Sequence, residues 1–194
     1  LPARYQLVVW LGAGLGLRQG EIFGLSPDDI DFEASEVHVR RQVKLFSNNR
    51  QVFGLPKGRK TRKVPLPDAV RDAITAYMTA YPPREVALPW MVVDGKSTTV
   101  SLLLTSREKK ALGRNYFNTF LWRPALKSAG VPDLRENGCH ALRHFFASTA
   151  LHEGETIKAV SEYLGHADPG FTLRTYTHLM EGSSERTKRA IDAA

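Results

Sequence analysis

The sequence predicts an α+β fold, a mostly helical single domain with a small antiparallel β-sheet. Three observations predict it. Apolar residues recur at helical spacing over 68–80, 114–129, 139–152 and 156–164, after an apolar opening stretch at 4–17. Between 29 and 66, short segments rich in β-branched or alternating residues are separated by turn formers. No internal repeat or low-complexity stretch interrupts this order.

Residues 4–17 (RYQLVVWLGAGLGL) are apolar almost all round, which predicts a buried helix. Gly20 to Leu25 predicts a short second helix, ended by Ser26-Pro27-Asp28. Strands follow at Ile30–Phe32, Glu36–Val43, Gln51–Phe53 and Lys63–Leu66, with turns at Ser47-Asn48-Asn49 and Pro56-Lys57-Gly58. They make a small antiparallel sheet with a basic hairpin. Asp68 to Ala80 reads as an amphipathic helix with Val70, Ala73, Ile74 and Tyr77 on one face. Tyr81 to Ser101 is punctuated by Pro and Gly and reads as a loop, with one short strand at Leu102–Thr105. Arg114 to Ala129 is helical, with Phe117, Phe120 and Leu121 spaced for a core and a kink at Pro124. On the helix from Cys139 to His152, Leu142, Phe145, Phe146 and Thr149 face one way and His140, Arg143 and His144 the other. Thr156 to Leu164 is a helix ended by Gly165; a short helix carries Tyr176, and Ser183 to Ala193 forms a last one.

A chain of 194 residues fits one domain. With one cysteine, Cys139, no intrachain disulfide is available, and the cytosol is the natural compartment. No apolar run approaches the length of a membrane span, and no secretory signal precedes the first element. The chain opens at Leu1 without methionine and is already helical in pattern by Tyr5, as expected of a piece of something longer. The net charge of +7 favours an anionic partner, nucleic acid being the commonest. The charge is clustered: Lys57, Arg59, Lys60, Arg62 and Lys63 lie together, with Arg40, Arg41 and Lys44 just before. Such a run is a solvated face or a set of phosphate contacts, and the latter is expected for Arg59, Lys60, Arg62 and Lys63.

Several side chains carry chemistry. His140 and Arg143, three residues apart on a helix, point the same way. Arg18 ends the apolar opening helix, where a rigid anchor lets its guanidinium fork onto phosphate oxygens, and Glu21 is placed to orient it. Each pair, taken alone, is also an ordinary surface or helix-junction pair. Tyr176 is a candidate nucleophile, although a phenol with a pKa of about 10 is weak without a cation or base beside it. Arg174, His166 and His178 supply such groups nearby in sequence. The bland alternative is a half-buried tyrosine with a bonded hydroxyl. Lys57, on a turn, can reach a bent duplex and protonate a leaving oxygen, or merely position phosphate. Zinc is weighed against this: Cys139, His140 and His144 sit together, but adjacent helix residues diverge and no second Cys or His pair has suitable spacing.

Taken jointly, these residues carry a resemblance. Gly16-Leu17-Arg18-Gln19-Gly20-Glu21, the stretch from Lys57 to Pro65, His140-Ala141-Leu142-Arg143-His144, Leu164-Gly165-His166 and Tyr176-Thr177-His178 run in the order of the tyrosine recombinases of the phage-integrase type. The chain resembles that family's catalytic domain across nearly its whole length, and the resemblance implies the tyrosine recombinase catalytic fold. It implies that Arg18 and Arg143 clamp the scissile phosphate and that Lys57, chosen over Lys60 by its distance to Val64-Pro65-Leu66, is the general acid. His140 matches the first signature histidine, His166 the second histidine-or-tryptophan position, Tyr176 the nucleophile and Glu21 a supporting acid. One departure is visible: His166 and Tyr176 lie ten positions apart, one more than the family pattern, with the extra residue in Ala167-Asp168-Pro169-Gly170.

The implied function is a site-specific DNA recombinase (integrase) that cleaves and rejoins DNA through a 3′-phosphotyrosyl intermediate, independent of metal and ATP and without a cofactor. The rivals are a type IB topoisomerase, disfavoured by the short length and the helix after Tyr176, and a non-catalytic DNA-binding regulator, which has no reason to keep the whole set. The resemblance further implies that residues 1–194 are a C-terminal catalytic domain lacking its N-terminal DNA-binding domain, and that the terminal helix over 183–193 is exchanged between protomers. Implied partners are double-stranded DNA attachment sites, further copies forming a tetramer on DNA around a monomeric free domain, and DNA-bending accessory proteins, with no membrane. The implied location is the nucleoid-associated cytoplasm of a bacterial host.

Overall fold

The computed structural model describes residues 1–166 and 168–176, together with Lys188, Ile191 and Asp192. The expected terminal helix over 183–193 lies outside the described residues apart from those three. Among the described residues no helix is long and apolar enough to cross a membrane.

Helix α1 (Ala3–Leu15) runs through the core and packs against two later helices, α3 (Asp68–Ala80) and α6 (His140–His152). Its buried side includes Tyr5, Leu7, Val8, Leu11 and Leu15, but Val9 and Trp10 are 36% and 47% exposed, so the helix is not enclosed all round. Its glycines mark close approaches. A Cβ at Gly12 would sit 2.8 Å from the Leu142 side chain of α6, and one at Gly14 would sit 2.4 Å from Val70 of α3. Gly16, at φ 61°, turns the chain out of the helix, its N–H on the Gly12 carbonyl. The chain then enters α2 (Gln19–Phe23), which starts directly after Arg18.

The predicted strands form, but not as one sheet. Strands β1 (Ile30–Asp31), β2 (Glu36–Val39) and β5 (Arg62–Pro65) make a three-stranded antiparallel sheet in the order β1-β2-β5. Strands β3 (Gln42–Leu45) and β4 (Gln51–Gly54) pair separately through the turn at Ser47–Asn49. The single strand expected over Glu36–Val43 is therefore split at Arg40 and Arg41. Here Arg41 turns inward to a bidentate pair with the buried Asp29. The Lys57 segment is correspondingly not the turn of a hairpin. It is a loop thrown out between β4, which belongs to one pair, and β5, which belongs to the other.

The region 81–101 was expected to be a loop, yet it holds a hairpin of β6 (Arg84–Pro89) and β7 (Ser97–Leu102), in register from Arg84↔Leu102 to Pro89↔Ser97. Only Val86 and Leu102 of this ribbon are buried, so it lacks the apolar alternation that marks a strand in sequence. Its proline sits at the end of β6, where a missing N–H costs little.

The helical stretch after Gly113 consists of α4 (Arg114–Phe117), a π segment (Asn118–Trp122) and α5 (Arg123–Ser128). The wider π turn shifts the side-chain register, so Phe117 is buried while Phe120, expected in the core, is 64% exposed. Phe117 packs against Phe23, with ring centroids 5.4 Å apart, and lies edge-on to Tyr5. On α6 the predicted faces are also modified. Phe145 is exposed, and Arg143, expected to point out of the core, is buried with Ala147 and Leu151. Helix α7 (Ile157–Leu164) is capped at its start by Thr156, whose hydroxyl accepts from the Ala159 N–H, and is ended by Gly165 at φ 62°. Helix α8 (Pro169–Tyr176) follows, with the Asp168 carboxylate accepting the Gly170 N–H at 2.8 Å.

Candidate active site

Two backbone turns, the buried guanidinium of Arg143 and the half-buried one of Arg18 build the site. Arg143 extends from α6 into the junction of α1 and α7. It donates to the carbonyl of Gly16 at 2.7 Å and to that of Leu164, and approaches His166 Nε2 at 3.0 Å. The sequence had implied a polar residue aimed away from the core; its charge is instead held against carbonyls that two helix ends leave unpaired. Burial, and then the charge of Arg18, push its pKa down to about 9, which leaves it a cation at neutral pH.

Arg18 lies at the start of α2. Its backbone N–H and its guanidinium both donate to the Glu21 carboxylate, at 2.8 and 3.1 Å, and a third bond reaches the Gly165 carbonyl at 3.3 Å. Glu21 is 1% exposed. Arg62 from β5 forks onto its other side at 2.9 and 2.7 Å and also donates to the Tyr163 carbonyl at 2.6 Å. Burial by itself pushes the Glu21 carboxyl up. The Arg62 hydrogen bonds and charge, joined by Arg18, outweigh it and hold the group below its ordinary range. Glu21 thus accepts from both Arg18 and Arg62. Arg62 does not stand on a phosphate-contact surface with its neighbours: its side chain is 8% exposed and its fork is taken by Glu21.

Around these anchors lies a cavity of about 520 Å³ lined by Arg18, Lys57, His140, Arg143, His166 and Arg174. Lys57 reaches it from the β4–β5 loop. His140 stands at the start of α6, and burial and then the neighbouring His144 and Arg143 lower its pKa. His166 is pushed down to about 4, first by burial and then by the charges of Arg143 and Arg18, so it is neutral at physiological pH. Because a guanidinium only donates, His166 Nε2 accepts from Arg143 and its proton sits on Nδ1, donated to Thr172 Oγ1 at 2.7 Å. Thr172 is fully buried, and its part in holding His166 is not visible in the sequence. The longer turn before α8 therefore still leaves His166 on Arg143. Arg174, considered as a helper of Tyr176, instead pairs with Asp168 at 3.2 Å.

Tyr176 does not line this cavity. It packs with Ala147, Leu151, Val160 and Leu164, 5% exposed, with its hydroxyl 2.8 Å from His144 Nδ1. Burial raises its phenol pKa, and the Arg143 charge acts against that rise. His178, the other suggested helper, lies outside the described residues. Arg59, Lys60 and Lys63 are exposed, Lys63 bonded to Glu36 at 2.6 Å. Among the described residues no group of three His, Cys, Asp or Glu side chains is placed to hold a metal ion. Cys139 instead lies against Asn118 and Gln19.

A cationic wall of two guanidinium groups, with a lysine and neutral imidazoles around it, suits a phosphate anion. Comparisons with known proteins give the family and the fold. A tyrosine recombinase XerC-like protein of Caldanaerobacter subterraneus subsp. tengcongensis is 30% identical over 187 residues, covering 91% of this chain and 46% of that protein. The tyrosine recombinase XerA of Thermococcus kodakarensis is 32% identical over 174 residues, covering 90% of this chain and 50% of its own. The chain thus spans about half the length of these curated relatives. The fold matches the Tn1549 transposon integrase in complex with transposon right end DNA, with a TM-score of 0.75 at 24% identity over 98% of this chain and 59% of that one. It also matches the catalytic domain of bacteriophage HP1 integrase, with a TM-score of 0.57 at 21% identity over 94% of this chain and 79% of that one. The model of the phage integrase family matches residues 1–182, and the chain belongs to that family.

Proposed function

We propose that this chain is the catalytic part of a site-specific DNA recombinase that cleaves and rejoins DNA through a 3′-phosphotyrosyl intermediate. The observation that carries the reading is the convergence of Arg18, Arg143, His166, His140 and Lys57 on one cavity, from four separate stretches of sequence. The names of the relatives, tyrosine recombinases and a transposon integrase bound to DNA, support it.

In this reading Arg18 and Arg143 hold the non-bridging oxygens of a DNA phosphate. The Tyr176 oxygen attacks phosphorus in line, and Lys57 protonates the departing 5′ oxygen. Donors fixed in advance, as these are by Glu21 and the Gly16 and Leu164 carbonyls, are each worth roughly a hundred- to a thousand-fold in rate. His166 adds a contact to the same oxygens once the incoming anion favours its protonation. The Tyr176 hydroxyl is bonded to His144 outside this cavity, and a shift of α8 that keeps this bond brings the phenol oxygen onto the phosphorus. The phosphotyrosyl bond conserves the energy of the broken diester, so rejoining needs no nucleotide triphosphate. Arg59, Lys60 and Lys63 contact flanking phosphates. The whole protein assembles as a tetramer on paired double-stranded sites, with the segment over 183–193 joining neighbours and accessory proteins bending the DNA.

Covalent trapping tests this. The protein is incubated with a nicked suicide duplex carrying its recombination site, without added metal, beside Tyr176→Phe. A denaturant-resistant protein–DNA band that disappears in the variant is expected. Sequence-specific DNA binding with no such band would instead assign the chain to a non-catalytic regulator.

A further inference from the structure

The reaction needs a group to take the phenol proton, and the residues assigned so far do not supply one that touches Tyr176. His166 is engaged by Arg143 and Thr172, and Lys57 has the opposite task at the leaving oxygen. His140 meets His144 edge-on, with ring centroids 4.9 Å apart, while the bond to the Tyr176 hydroxyl is made by His144. We propose that His144 is the general base of the cleavage step, taking the Tyr176 proton on Nδ1 as the phenol oxygen bonds to phosphorus. The inference rests on Tyr176 being the nucleophile.

The geometry supports it in three ways. The Oη–Nδ1 separation of 2.8 Å is a direct hydrogen bond. The imidazole lies one turn beyond His140 on α6, on the helix that also fixes Arg143, so base and phosphate clamp share one rigid element. The residue is also exposed, so the imidazolium can pass its proton to water or keep it for the return step. The groups facing it are His140 and Arg143 on its own helix and Tyr176 on α8. Burial and then the Arg143 charge lower its pKa, which leaves it unprotonated and able to accept at neutral pH.

The step balances. The Tyr176 Oη–H bond breaks and its proton goes to His144 Nδ1. The Oη–P bond forms, the bond from phosphorus to O5′ breaks, and O5′ takes a proton from Lys57 Nζ. Rejoining runs the same transfers backwards, with the His144 imidazolium protonating the departing phenolate.

The test follows covalent-complex formation on the suicide duplex at saturating DNA, in full-length protein, for wild type, His144→Ala, His144→Gln and Tyr176→Phe. A general base contributes on the order of a hundredfold or more, so both His144 variants should slow by about that factor with DNA affinity unchanged. Replacing Tyr176 by a fluorinated tyrosine, ionised near neutral pH, should restore most of the rate in the His144→Ala background, because a phenolate needs no base. His144→Gln at the wild-type rate, or no rescue by the fluorinated phenol, would overturn the proposal. A faster His144→Ala would overturn it too, and would make the bond a latch that parks the tyrosine. A band surviving in Tyr176→Phe would fail the underlying nucleophile assignment instead.

Discussion

Glu21 and Arg62, 41 positions apart in sequence, form a bidentate ion pair inside the protein, with oxygen–nitrogen distances of 2.9 and 2.7 Å. Their carboxylate is the same one that fixes Arg18. Glu21→Gln leaves a buried guanidinium without its counter-charge and should destabilise the fold by about 3–5 kcal/mol. Combining it with Arg62→Met should cost much less than the sum of the single changes, since removing both partners removes the orphaned charge. Urea unfolding of the singles and the double checks this; additive costs would contradict it.

The basic run after Lys57 divides into two kinds of residue. Arg59→Ala and Lys60→Ala should leave thermal stability unchanged and each lower the salt slope of DNA binding by about 1. Arg62→Ala should do the reverse, lowering stability at an unchanged number of phosphate contacts. Binding titrations across a salt series, beside melting curves, separate the two.

Lys57 stands on a loop and makes no hydrogen bond or ion pair among the described residues, so Lys57→Ala should shift stability by no more than about 0.5 kcal/mol. Cleavage should nevertheless slow by about 10²–10⁴-fold. A duplex with sulfur in place of the bridging 5′ oxygen should recover most of that loss, because a thiolate leaves without a proton. Equal losses on both duplexes would remove Lys57 from the acid role.

Stability should fall on mild acidification. The folded state holds His166 at about 4 against an ordinary 6.5. Above 6.5 the imidazole is neutral in both states and its full contribution is present. Between about 6.5 and 4 the unfolded chain takes the proton first and the fold loses ground, and below about 4 the loss from this group is complete. His140 and His144 are shifted in the same direction. His166→Gln should therefore flatten, without abolishing, the decline of Tm between pH 6.5 and 4.

DNA binding should reverse that shift. A phosphate placed against Arg143 and His166 offsets the cationic field that lowers the imidazole, so complex formation should take up protons. Calorimetry in buffers of different ionisation enthalpy reads this uptake, which His166→Gln should reduce. Proton release would contradict the placement.

Much of the site was legible in the sequence because its residues sit at element ends that announce themselves. Gly16 and Gly165 stop helices, Arg18 follows the first by two positions and His166 the second directly. What was not legible depended on tertiary partners. Arg143 shares its helix side with His140 in sequence, yet is drawn inward by carbonyls of residues that sequence spacing cannot place. Arg62 looked like its basic neighbours until β5 met α2 and α7. Phe120 was lost to a π turn that leaves no clear mark in composition, and the 84–102 ribbon to its near lack of buried residues. The bond between Tyr176 and His144 joins two helices and could not be read from either alone.

The bonds that fix Arg143 and Arg18 span most of the chain: Arg143 to Gly16 across 127 positions and Arg18 to Gly165 across 147. A ribosome releasing this polypeptide exposes Arg18 long before Gly165 exists to meet it, and Tyr176 emerges later still. A half-made copy therefore holds neither guanidinium in place, and a reaction that depends on both begins only with the finished fold.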